Sequence, residues 1–88
     1  MEEHPVPRRL LISNLAPGTR DDELIALVKK YAPDLECTDV RFVDAEGSRP
    51  AALLSFAHQQ LNSLEELSQR LNGMYWKGHS LSASTTLT

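Results

Sequence analysis

The sequence predicts an α+β domain of order β-α-β-β-α-β, a four-stranded antiparallel sheet with two helices on one face. Three observations predict it. Two stretches, Leu24 to Tyr31 and Leu64 to Leu71, carry apolar residues at helical spacing. Four short stretches rich in aliphatic residues read as strands, and Pro or Gly separates the segments. Strands and helices in that order leave one sheet face covered by helices and the other open.

The residues Met1 to Pro7 hold two prolines and two acids and read as a flexible lead-in. The first strand is Arg8 to Leu15, stopped by Ala16-Pro17-Gly18. Thr19 stands three residues before Asp22, a weak capping-box spacing, and Asp21, Asp22 and Glu23 suit a helix N-terminus. Leu24, Leu27, Val28 and Tyr31 form one face of that helix, which Pro33 ends. Val40 and Phe42 alternate with Asp39 and Arg41 in a half-buried second strand, and Cys37 falls in the loop before it. Asp44 to Ser48 turns the chain into a third strand, Ala51 to Phe56. Ser63 and Glu66 open a second helix with Leu64, Leu67 and Leu71 on one face, ended by Asn72-Gly73. Gly78 introduces a last strand, His79 to Ala83. The expected organisation is a lead-in over residues 1–7, one domain over 8–84 and a tail over 85–88.

Composition narrows the function classes. The chain has 88 residues, 41% of them hydrophobic, which suffices for one modest core. No apolar run approaches the roughly 20 residues of a membrane span, and the acidic start is the opposite of a signal peptide. A lone Cys37 forms no internal disulfide, so an intracellular protein is expected. His4, His58 and His79 stand far apart with no partner at metal-ligand spacing, and four glycines make no phosphate-cradling loop. Neither an enzyme, a metal site nor a cofactor is expected. The net charge of −3 is unusual for a domain that lives on phosphate contacts, so the position of the charges matters more than their sum.

The order of elements, with certain residues in the first and third strands, resembles the RNA-recognition motif (RRM) family, a set of ferredoxin-like βαββαβ domains. Leu10-Leu11-Ile12-Ser13-Asn14-Leu15 matches five of six positions of that family's first-strand motif, with Leu11 in place of an aromatic. Arg49-Pro50-Ala51-Ala52-Leu53-Leu54-Ser55-Phe56 aligns with the third-strand motif and keeps Arg49, Ala52, an aliphatic Leu54 and Phe56. Leu71-Asn72-Gly73 and Gly78-His79-Ser80-Leu81 match its helix end and final turn. The resemblance implies single-stranded RNA binding on the open sheet. The rings that stack on bases there are replaced by Leu11, Ala51 and Leu53, and such stacking contributes about 1 to 3 kcal/mol per base. This is a degenerate pattern.

Period-2 alternation puts Leu10, Ile12, Ala52, Leu54 and Phe56 under the helices and Leu11, Ser13, Ala51, Leu53 and Ser55 outside. Arg8, Arg9, Arg41, Arg49 and Lys77 are positioned to ring the open face, while most acids fall on the helices. The expected RNA-binding set is Arg9, Leu11, Ser13, Arg41, Arg49, Ala51, Leu53 and Ser82, with Ser55 and Ser80 as further hydroxyls. The alternative is a protein-interaction module. The aliphatic face of Leu11, Ala51, Leu53 and Val43 would then pair two copies, whereas the plain structural reading is that the chain's own tail, carrying Leu87, covers it. In a second version Tyr75 and Trp76 would anchor a peptide. A peptide-capturing subclass of the family uses an Arg-any-Phe in that loop, where this chain has Met74-Tyr75-Trp76.

Overall fold

The computed structural model describes residues 9–44, 46–47, 49–57 and 63–86. Strands β1 (Arg9–Ser13), β2 (Cys37–Val43), β3 (Ala51–Phe56) and β6 (Ser82–Thr86) form one antiparallel sheet in the order β2-β3-β1-β6. Helices α1 (Asp21–Tyr31) and α2 (Ser63–Leu71) lie between β1 and β2 and between β3 and β6. A second, two-stranded ribbon pairs β4 (Tyr75–Trp76) with β5 (His79–Ser80). The expected α+β, ferredoxin-like layering is the observed one.

Alternation builds the core. On β1, Leu10 and Ile12 are fully buried, and on β3 Ala52, Leu54 and Phe56 are buried. Against them α1 brings Leu24, Leu27 and Val28, and α2 brings Leu64, Leu67 and Leu71. Each fully buried Leu contributes about 1.5 to 3 kcal/mol through the apolar area it removes from water. Leu15, Leu35 and Leu81 close the ends of the layer from the connecting segments. The arrival of β1 is fixed to β3 by the Leu15 N–H, which donates to the Pro50 carbonyl at 2.9 Å.

Four local features differ from the sequence expectations. The cap of α1 is Arg20, whose backbone N–H donates to Glu23 Oε1 at 2.9 Å, while Thr19 Oγ1 donates to the Ala16 carbonyl in the preceding turn. The reach-back half of a capping box is therefore present one residue later than Thr19 suggests. Cys37 begins β2 instead of lying in a loop. The register shifts by one residue between Cys37 and Asp39, a bulge that puts Cys37 on the core side with Val40 and Phe42.

The last sheet strand is also displaced from its expected place. His79 and Ser80 belong to the small ribbon, and the sheet strand runs Ser82–Thr86, two residues past the expected domain end. The reason is the turn at Lys77-Gly78, whose φ values of 52° and 83° are both left-handed. Two such residues make the primed two-residue hairpin that fits strand twist, and only Gly78 takes it without cost. Bonds from the Gly73 N–H to the Leu81 carbonyl (2.7 Å) and from the Leu81 N–H to the Met74 carbonyl (2.8 Å) close the ribbon. Finally, β6 is tied to α2: Asn72 Oδ1 accepts from the Ala83 N–H at 3.0 Å, and Ser68 Oγ donates to the Ala83 carbonyl at 3.4 Å. These side chains occupy backbone groups of a strand at the sheet edge.

Candidate nucleic-acid interface

The open face is defined by strand register. Leu11 stands opposite Leu53 on β3 and opposite Ser84 on β6, and Arg41 stands opposite Leu53 on β2. The row Arg41–Leu53–Leu11–Ser84 thus crosses all four strands, about 14 Å at the usual strand spacing. A second row is Asp39–Ser55–Arg9–Thr86. Beside the first, Val43 faces Ala51 and Ser13 faces Ser82. Leu11, Ser13, Ala51, Leu53 and Ser55 are half-buried, while Arg9, Asp39, Arg41, Ser82 and Ser84 are exposed.

Seven of the expected RNA-binding residues therefore lie on this face: Arg9, Leu11, Ser13, Arg41, Ala51, Leu53 and Ser82. Arg49 is exposed in the loop leading into β3. Ser80 is not among them, because it pairs with Tyr75 in the ribbon, and its carbonyl accepts from Asn14 Nδ2 at 2.8 Å. Ser84 takes the position that Ser80 was expected to supply. Its signal in the sequence was the run Ser82 to Thr86, in which two β-branched threonines favour a strand although no large apolar residue marks it. Arg8 and Leu87, one a candidate base and the other a candidate cover, lie outside the described residues.

Pairing distinguishes the arginines of the face from the charges at α1. Among the described residues, no hydrogen bond or ion pair engages the side chains of Arg9, Arg41 or Arg49. Lys77, expected at the rim of the sheet, instead turns to α1. Its Nζ lies 2.8 Å from both carboxylate oxygens of Glu23 and 5.5 Å from the centroid of the Trp76 ring. The Lys77 ammonium first, and then the Arg20 backbone N–H, hold the Glu23 carboxyl below its ordinary range. Arg20 meanwhile pairs with Asp22 at 3.1 Å on the exposed surface.

The aromatic side chains are also away from the open face. Phe42 and Phe56 pack with the core. Tyr31, Tyr75 and Trp76, three of the five aromatic residues, line a groove of about 390 Å³ between α1 and the ribbon, together with Glu23, Ala26, Leu27, Lys30 and Met74. Of the two expected partner-binding residues, Tyr75 is 75% exposed, whereas Trp76 is half-buried and packs on the core. Cys37 is half-buried, and burial pushes its thiol above its ordinary range, away from the thiolate a nucleophile needs. Among the described residues no group of three His, Cys, Asp or Glu side chains is placed to hold a metal ion, and no helix is long and apolar enough to cross a membrane.

No family model matches the chain, and no curated protein sequence does. Solved structures do. The structure of Pes4 RRM3 superposes with a TM-score of 0.74 over 90% of each chain at 16% identity. The N-terminal three RNA-binding domains of the yeast splicing factor Prp24 give 0.73 at 15% identity, over 96% of this chain and 34% of that one. Both are described as RNA-recognition or RNA-binding domains, neither as an enzyme. The chain has the fold of an RNA-recognition motif, with the stacking rings of its first and third strands replaced by aliphatic residues.

Proposed function

We propose that this domain binds single-stranded RNA with weak or moderate affinity on the open face of its sheet. The observation that carries the reading is a face that, among the described residues, carries Arg9 and Arg41 and adjoins the loop with Arg49, none of the three with an acid partner there. The lysine nearest in sequence to the last strands is, by contrast, already paired with Glu23. In this reading the arginines meet phosphates, Leu11, Ala51 and Leu53 form an apolar floor, and Ser13 and Ser82 offer hydrogen bonds. The likeness in fold to RNA-binding domains supports it. The missing rings set the affinity, since each absent stack forgoes about 1 to 3 kcal/mol. With no stacking platform, phosphate contacts carry a large share of the binding and make it salt-dependent. The reading implies an intracellular protein without catalytic activity.

The test is an NMR titration of labelled protein with random-sequence single-stranded RNA at low and moderate salt. Shifts centred on Leu11, Ser13, Arg49 and Leu53 that weaken with salt are the expected result. A spectrum unchanged at millimolar RNA would overturn it and leave the face to a protein partner.

A further inference from the structure

The two edges of the sheet are treated differently. At β6 the side chains of Asn72 and Ser68 take the Ala83 N–H and carbonyl, so α2 occupies that edge. At the opposite edge β2 pairs with β3 alone. Among the described residues its backbone meets one side chain, the Cys37 thiol, a weak donor 3.5 Å from the Asp39 carbonyl. The helix-facing side of β2 is also incompletely covered. Val40 and Phe42 are half-buried there, whereas Leu10, Ile12, Ala52 and Leu54 on the inner strands are fully buried. An edge with unpaired backbone and part-covered apolar side chains is a template for another strand. On the other side of β2, Asp39 and Arg41 flank Val40; both are exposed, and neither side chain has a partner among the described residues.

We propose that β2 is a self-association edge, through which two copies join antiparallel with Val40 opposite Val40. Charges often keep an edge strand single, but here their order favours one register. With Val40 at the centre, Asp39 of each copy stands opposite Arg41 of the other. Sliding one copy by two residues in either direction opposes Asp39 to Asp39 or Arg41 to Arg41. Opposite charges directly across a sheet stabilise it, and like charges there destabilise it. A slip of one residue turns the two helix layers to opposite faces and sets Asp39 against an apolar position. The sequence around Val40 is thus complementary to itself, as a two-fold interface requires. In this dimer Val40 covers Val40 of the second copy, and the two open faces run together across eight strands. The bulge at Cys37 limits the pairing to Thr38 through Phe42, so the interface is small and the dimer weak. A guanidinium has five N–H donors, so Arg41 can hold a carboxylate and still meet a phosphate. The proposal stands whether or not the face binds RNA.

The experiment is sedimentation equilibrium without nucleic acid, from about 20 µM to about 1 mM protein, a range suited to a small interface. The average mass is expected to rise from monomer toward dimer across it. Asp39→Arg or Arg41→Asp alone opposes like charges at both places and should weaken association about tenfold or more. An equimolar mixture of the two variants opposes unlike charges again and should regain the association that each has lost. In the wild type, amide shifts that change with concentration should centre on Thr38 through Phe42. A mass that stays monomeric at the highest concentration would overturn the proposal. So would single variants that associate as the wild type does, a mixture that stays monomeric, or concentration-dependent shifts confined to another surface.

Discussion

The two faces of the same strands follow opposite rules. Toward the helices, β1 and β3 place Leu10, Ile12, Ala52, Leu54 and Phe56, all buried, with no polar atom to satisfy. Toward solvent the intervening positions are Arg9, Leu11, Ser13, Ala51, Leu53 and Ser55, a mixture of charge, hydroxyl and aliphatic surface with no ring. One face spends its residues on packing; the other keeps Arg9, Ser13 and Ser55 with side chains unpaired among the described residues. Residues adjacent in sequence thus answer to different forces, and the contrast can be tested one pair at a time.

The largest expected effect is on the covered side. Leu54→Ala removes a fully buried side chain from the middle of the core and should cost about 2 to 5 kcal/mol. Its neighbour Leu53→Ala, on a half-buried position of the open face, should cost about 1 kcal/mol or less. Chemical denaturation of both variants measures the difference. Similar losses for the two would mean that the open face is packed against something and is not open.

Much of this layout was legible in the sequence because it rests on periods. The spacing of Leu24, Leu27 and Val28 finds α1, and the alternation around Leu10 and Leu54 finds both faces of the sheet. Register and turns were less legible. Nothing local announces the bulge that sends Cys37 to the core, since a register shift depends on how β2 meets β3. Nothing local marks Lys77-Gly78 as a hairpin turn, and it is that turn which carries Lys77 away from the sheet rim to Glu23, 54 residues away. The same turn sets where the last sheet strand begins, so the row of Ser84 across the sheet follows only from its pairing with Leu11. Of the candidate site, the face of most residues could be read from period 2, but the residues that share a row could not.

Trp76 is expected to come next in size. It packs on the core from the ribbon and is half-buried, so Trp76→Ala should cost about 1 to 3 kcal/mol, less than a fully buried aromatic. On the RNA reading its removal leaves oligonucleotide affinity nearly unchanged, because the groove lies beside α1 and not on the sheet. A large loss of RNA binding in a variant that still folds would move the site to the ribbon.

A smaller effect attaches to the Glu23–Lys77 pair, which is exposed and screened by salt. Glu23 has its carboxyl held below the ordinary glutamate range of about 4.3, so the folded state binds its proton less readily than the unfolded one. Its contribution is fully present above that range and is lost as pH falls through the depressed folded value. The indole signal of Trp76, beside Lys77, should therefore report a loosening of the ribbon in acid. Glu23→Gln should abolish that step, and an unchanged acid transition in this variant would assign it to another group.

The smallest effect on stability, and the sharpest contrast with Leu54, belongs to Arg41. Its side chain is exposed and makes no ion pair among the described residues, so Arg41→Glu should change stability by no more than about 0.5 kcal/mol. Binding should respond quite differently. On a single strand each neutralised phosphate contributes about −0.7 to the slope of log affinity against log salt, so contacts from Arg9, Arg41 and Arg49 together give a slope near −2. Removing one contact should bring that slope toward about −1.4 and weaken binding at low salt most. A variant that keeps its melting temperature while losing salt-dependent affinity would show that the open face holds its charge for a ligand. A variant that loses neither would mean that phosphates pass elsewhere on the molecule, and that the lack of an ion pair at Arg41 among the described residues reflects solvation alone.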